Sequence, residues 1–158
     1  MAIAVFTGLG QPAPQTPGWK AVVANYQVLY GKATLETANP SAEDTAQQVA
    51  RVGNALGLNM SSLPEPAGLT FKRAQLLEFN GRTLVQIAYA TDDGTPIALC
   101  ILATQNPDTP DMDLAAIQGL GSASWNAAGF GYLLIGGDDS NALNNSANTF
   151  QTWSQSAT

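Results

Sequence analysis

The chain has 158 residues, of which 45% are hydrophobic and 11% charged, and a formal net charge of −6 with no histidine and one cysteine. That length suits one domain with a core of ordinary size, and so apolar a composition belongs to a folded chain. The acidic balance argues against nucleic acid and against an anionic membrane surface, because both require clustered cations and the basic residues run singly or as the pair Lys72-Arg73.

The opening MAIAVFTGLG is apolar but shorter than the roughly 20 residues of a membrane span. It has neither the basic start nor the clear cleavage site of a signal peptide, and reads as the trimmed end of a membrane helix, a strand or a tail. Gln11 to Pro17, QPAPQTP, is a stiff spacer that packs no core. Residues 1–18 are therefore expected to be a flexible or post-membrane segment, and 19–158 a single α+β domain.

Trp19, Val22, Val23, Tyr26, Leu29, Tyr30 and Ala33 recur at steps of three and four, predicting a helix with one apolar face. Thr16 is placed to cap it, with Pro17 at its first position. A second helix is expected after Ser41, where SAED has capping-box spacing. Its stripe is Ala46, Val49, Ala50, Val52 and Leu56, and Gly57 supplies the stop.

From Leu69 the period falls towards two. LTFKRAQLLEF ends on Asn80-Gly81, a strong hairpin signal, and RTLVQIAYA runs to the Asp93-Gly94 turn. TPIALCILAT is apolar on both faces and reads as a central, doubly covered strand; Cys100 within it behaves as a small buried hydrophobe. QNPDTPDMD is a loop. SASWN and FGYLLIG form a last hairpin about Ala127, Ala128 and Gly129. Leu143, Ala147, Phe150 and Trp153 then keep helical spacing. The expected architecture is α+β: an antiparallel meander of about five strands, with N-terminal helices and one C-terminal helix packed on it.

The glycine-rich stretch Gly129 to Asp139, GFGYLLIGGDD, has the look of a phosphate cradle. A dinucleotide fingerprint fails at Leu134, and a P-loop fails at Gly137 and Asp138, where lysine and a hydroxyl belong. The glycines are better explained as turn and bulge positions beside a buried strand. Without histidine a serine nucleophile needs a lysine or a terminal amine as base, but Lys20, Lys32 and Lys72 read as solvated charges. Zinc lacks its usual ligands. Asp108, Asp111 and Asp113 share a loop without the glycine and glutamate of an EF-hand, and Asp138-Asp139 are no better placed. The expectation is no catalytic residue, no cofactor and no metal. Trp125 opposite Tyr132 is the one ligand-binding candidate, and a cross-strand packing pair is the safer reading of it.

The order AGLTFKRAQLLEFNGRTLVQIAYATDDGTPIALCIL, loop, GSASWNAAGFGYLLIGG resembles the extracytoplasmic domain of bacterial transmembrane anti-sigma factors. WKAVVANYQVLYGKATLE resembles the post-membrane helix of one branch. The resemblance spans Trp19 to Trp153, and Gly68, Gly81, Gly94, Trp125, Gly129, Gly131, Tyr132 and Gly136 carry it in structural roles. It implies a non-enzymatic periplasmic sensory or regulatory domain, anchored to the inner membrane by a segment upstream of this chain. It further implies control of an extracytoplasmic-function sigma factor through a region not in this chain. A regulatory protein or protease and a homo-oligomer are the other partners considered. The alternative is a free-standing small-ligand-binding domain with a pocket near Trp125 and Tyr132.

Overall fold

Capping, turn chemistry and alternation place the elements in a computed structural model that describes residues 18–156. Helix α1 (Trp19–Gln27) and a short 3-10 turn (Lys32–Thr34) precede helix α2 (Ala42–Leu56). Strands β1 (Leu69–Phe79), β2 (Arg82–Thr91) and β3 (Pro96–Ala103) follow, then β4 (Asp113–Ile117), β5 (Leu120–Ala127) and β6 (Phe130–Gly136). A second 3-10 turn (Ser140–Leu143) leads into helix α3 (Asn144–Ser154). The class is α+β as expected, with six strands in place of about five.

The opening decapeptide, the proline spacer, Thr16 and Pro17 lie outside the described residues; Gly18 occupies the N-cap of α1. This helix ends at Gln27, short of the expected stripe through Ala33. The amides just past its end, on Leu29 and Tyr30, donate to carbonyls three residues back, Tyr26 at 3.1 Å and Gln27 at 2.9 Å. That tightened turn leaves Leu29 exposed, and the buried face is Val23, Ala24 and Gln27. Helix α2 begins and ends as its sequence dictates. Ser41 Oγ accepts the Asp44 N–H at 3.1 Å, and Gly57 turns left-handed at φ 73° while the Leu58 N–H reaches back to Gly53 O at 2.9 Å, a Schellman-type closure.

The sheet is antiparallel throughout, in the order β1-β2-β3-β6-β5-β4. Two three-strand meanders therefore meet where β3 pairs with β6. Three two-residue hairpins have both central residues at positive φ: Asn80-Gly81, Gln118-Gly119 and Ala128-Gly129. The middle one and β4 were not expected. Asp113 ends an acidic loop, β4 is largely exposed, and glutamine is not a turn signal. At the β2–β3 turn Asp93 Oδ1 accepts from Thr91 Oγ1 at 2.5 Å, Thr95 Oγ1 at 2.8 Å and Thr95 N at 3.2 Å.

Strand alternation sorts the core into two clusters. Val85, Ile87, Tyr89, Leu99, Ile101, Trp125, Tyr132 and Leu134 pack with α2 and α3. Leu84, Ala98, Cys100, Leu102, Leu133 and Ile135 pack with Val23 and Ala24 of α1. Helices thus cover both faces, and β3 is buried from Pro96 to Leu102, the doubly covered strand its sequence predicts. Leu143, at the end of the second 3-10 turn, and Ala147, Phe150 and Trp153 of α3 are buried, each large side chain worth about 1.5–3 kcal/mol of transfer free energy. Burial pushes the Cys100 thiol up to about 12.

Close approach to backbone fixes two glycines of the sheet, as it does Gly53 of α2. A Cβ on Gly121 would lie 2.7 Å from the Asp139 carbonyl carbon and Ser140 N, where the second 3-10 turn crosses β5. At Gly136, φ is 151° and a Cβ would meet Pro96 O at 2.3 Å. Gly136→Ala is expected to cost about 3 kcal/mol through strain and overlap together, read as a lower urea midpoint. The hydrogen bonds from Thr91 and Thr95, helped by Lys32, hold the Asp93 carboxyl below the usual carboxylate range. A depressed folded value adds stability above the unfolded value of roughly 4 and loses it as pH falls further. Asp93→Asn should therefore flatten the fall in melting temperature below pH 4, while wild type shows the steeper decline.

Candidate functional site

A cavity of about 890 Å³ opens between α2, the 57–65 connection and the paired ends of β1 and β2. Its floor is Phe71 and Tyr89, set edge to face with centroids 6.1 Å apart. Val49, Leu58, Met60 and Leu63 form apolar walls, and Thr45, Asn54, Asn59, Ser61 and Glu65 supply polar groups. The volume falls within the range of small-molecule sites, and an apolar lining with a few polar groups is their usual make-up.

The opening has a sequence cause. Ala46 and Ala50 belong to the apolar stripe of α2 and were expected in the core. Both are exposed and line the cavity; only Val49, Val52 and Gly53 of this helix are buried. A methyl group on that flank fills too little volume to close the gap. The tell-tale signal is alanine on the apolar flank opposite aromatic strand residues.

Two contacts shape the floor. Tyr89 Oη donates to Pro64 O at 3.2 Å, and Glu65 Oε2 accepts the Phe71 N–H at 2.8 Å, tying the loop to the outer side of β1. Burial, with a contribution from the Glu65 charge, raises the Tyr89 phenol far above its ordinary value. It is a neutral donor throughout the physiological range. The lining offers hydroxyls, amides and one carboxylate, groups that hold and orient a ligand.

Trp125 and Tyr132 are brought together, but within the core. They face each other on β5 and β6, with rings stacked at 5.3 Å and 4°. Trp125 Nε1 donates to Ser154 Oγ at 2.9 Å, and Trp153 meets Tyr132 edge-on at 6.2 Å. Neither residue lines the 890 Å³ cavity. Gly68, Gly81, Gly94 and Gly129 sit at positive φ, and Gly131 lies in β6 beneath Trp19, 3.3 Å from where its Cβ would stand. The glycine-rich stretch is thus turn, strand and turn.

Lys20 departs from its expected solvated place: its Nζ donates to Ser124 Oγ at 3.0 Å. The pair has the chemistry of a serine–lysine dyad, but Ser124 is only 4% exposed and does not line the 890 Å³ cavity. Lys32 pairs with Asp93 at 3.7 Å. Asp108 Oδ1 caps the β5–β6 turn by accepting Ala128 N–H at 2.8 Å, and Asp139 Oδ1 accepts from Asn141 N at 2.9 Å. Among the described residues no three carboxylate or thiol groups converge, and no helix is long and apolar enough to cross a membrane.

Comparison with protein-family models, with curated proteins and with solved structures finds no match.

The Tyr132 hydroxyl is buried without a partner, and desolvation lifts its phenol to about 12. Tyr132→Phe removes that orphan, so it should add about 1 kcal/mol and raise the melting temperature by about 2–4 °C. It should also lessen the loss of stability between pH 10 and 12, where the unfolded phenol ionises and the folded one does not. Thermal scans across that range read both effects.

Proposed function

We propose that the chain is a non-enzymatic sensory domain of an anti-sigma-factor-like regulator, acting in the periplasm and anchored at the inner membrane by a segment outside this chain. It controls an extracytoplasmic-function sigma factor through a region outside the chain, with a regulatory protein or protease and a second copy of itself as further partners. The observation that carries this reading is the order of elements. A helix, the Gly68 entry, hairpins at Gly81 and Gly94, a Trp125-Gly131-Tyr132 hairpin and a closing helix occur in the sequence that the resemblance requires. The groups available in the α2 cavity suit recognition, and an occupant there would bear on a helix tied down by few side chains.

The second reading, a free-standing small-ligand-binding domain, is favoured by the 890 Å³ cavity itself. Its site is then the Phe71–Tyr89 floor, in place of Trp125 and Tyr132.

Affinity purification of the product of the whole gene separates the two. The sensory reading expects a sigma factor to co-purify, and its target promoter to respond when Ala46→Trp fills the cavity. Because Ala46 stands at the open side of the cavity, that substitution should keep the fold and add about 0.5–2 kcal/mol of stability, as cavity filling does. Absence of any sigma factor, with thermal stabilisation of the domain by small apolar ligands that Ala46→Trp abolishes, would leave the second reading standing and sink the first.

A further inference from the structure

Across α2 from the apolar cavity, a second groove of about 460 Å³ lies at the β1 edge of the sheet. Arg51, Lys72 and Arg73 line it, half of the six basic residues in a chain with twelve acidic ones. The other lining residues are Asn39 and Gln48, Gln75, and the uncharged Ala38, Pro40 and Ala74, so no carboxylate faces the three cations. None of them makes an ion pair with a carboxylate among the described residues. Holding like charges together costs energy unless something negative joins them.

The backbone is built to bring them together. Consecutive residues of a strand point to opposite faces, but the β1–β2 register shifts between Phe71 and Arg73, and the bulge lets both Lys72 and Arg73 line one groove. Their settings leave donors unused. Lys72 Nζ donates to Asn39 Oδ1 at 2.9 Å. Arg73 donates through Nη2 to the Tyr30 hydroxyl, with its guanidinium carbon 5.7 Å from the centre of that ring. Arg73 Nε is buried and has no partner. Gln48 spends its carbonyl on the Ala74 N–H at 2.9 Å, leaving an amide that only donates.

We propose that this groove binds a small oxyanion, a carboxylate or a phosphate, held by the Arg73 fork and Arg51 and neutralised by Lys72. Guanidinium groups match the planar oxygen pairs of such anions, and the lysine adds a point charge. An anion there takes the donors that Arg51, Lys72 and Gln48 leave free and relieves the repulsion among the cations. The site stands apart from the apolar cavity and does not rest on the sensory reading.

Titration calorimetry of the chain with inorganic phosphate and, separately, with citrate, at constant ionic strength, tests the site. Saturable one-to-one binding of at least one anion is expected, and the two arms tell phosphate from carboxylate preference. Arg51→Gln and Lys72→Gln should each weaken that binding about tenfold, the loss of one charge-assisted contact, with urea midpoints unchanged. Arg82→Gln, outside the groove, should leave the affinity as it was. No saturable heat with either anion overturns the proposal. So does binding that Arg82→Gln weakens as much as Arg51→Gln, since that marks diffuse charge attraction.

Discussion

Strands β2, β3 and β6 are buried on both faces, and the rest of the structure follows from that constraint. A strand with no solvent side needs a cover above and below, so helices must be divided between the faces. Helix α1 takes one, over Leu84, Cys100 and Leu133; α2 and α3 take the other, over Ile87, Leu99 and Tyr132. The closing helix matters more than its length suggests, because Phe150 and Trp153 cap the Trp125–Tyr132 stack and the Tyr89 ring.

Double burial also forces polar groups to find partners within the protein. Gln86 is fully buried in the middle of β2. Its side-chain oxygen accepts from Tyr30 Oη at 3.1 Å and Gln75 Nε2 at 2.5 Å, and its nitrogen approaches Gln27 Oε1 at 3.5 Å. One amide thereby sets where α1 and the chain just after it lie on the sheet. Tyr30 passes the constraint to Arg73, so the cation at the β1 edge is aimed by a residue in the core. Desolvation is the main reason the Tyr30 phenol is raised, with the Tyr26 hydrogen bond next and Arg73 opposing both.

Much of this was legible in residue order. Ser41 and Gly57 bound α2, Asn80-Gly81 turns β1 into β2, and the unbroken apolar run around Cys100 marks a strand with no wet face. These signals are local, so neighbouring residues suffice to read them. What was not legible depends on contacts far apart in the chain. Ala46 and Ala50 look like core until the strands beneath them are known to carry Phe71 and Tyr89 at a distance a methyl cannot fill. Arg51 looks solitary until α2 is laid beside the β1 bulge. The β4 edge strand lacks alternation and strong turn residues because it hardly contributes to the core, and Gln118-Gly119 closes a hairpin that composition does not announce.

The two grooves flank one helix, and that placement follows from how narrowly α2 is held. A Cβ on Gly53 would meet Leu58 O at 2.6 Å, so the helix and its own C-terminal connection are pressed together there, with Val49 and Val52 as the remaining buried anchors. On one side of that line the alanines leave an apolar opening; on the other, Gln48 and Arg51 face the β1 bulge. Pro40 borders both spaces. A third buried large residue on α2, at Ala46 or Ala50, would close the apolar groove and leave the Arg51 side of the helix as it is. The open surface is therefore a consequence of small side chains at two positions, set against a sheet whose interior admits no slack.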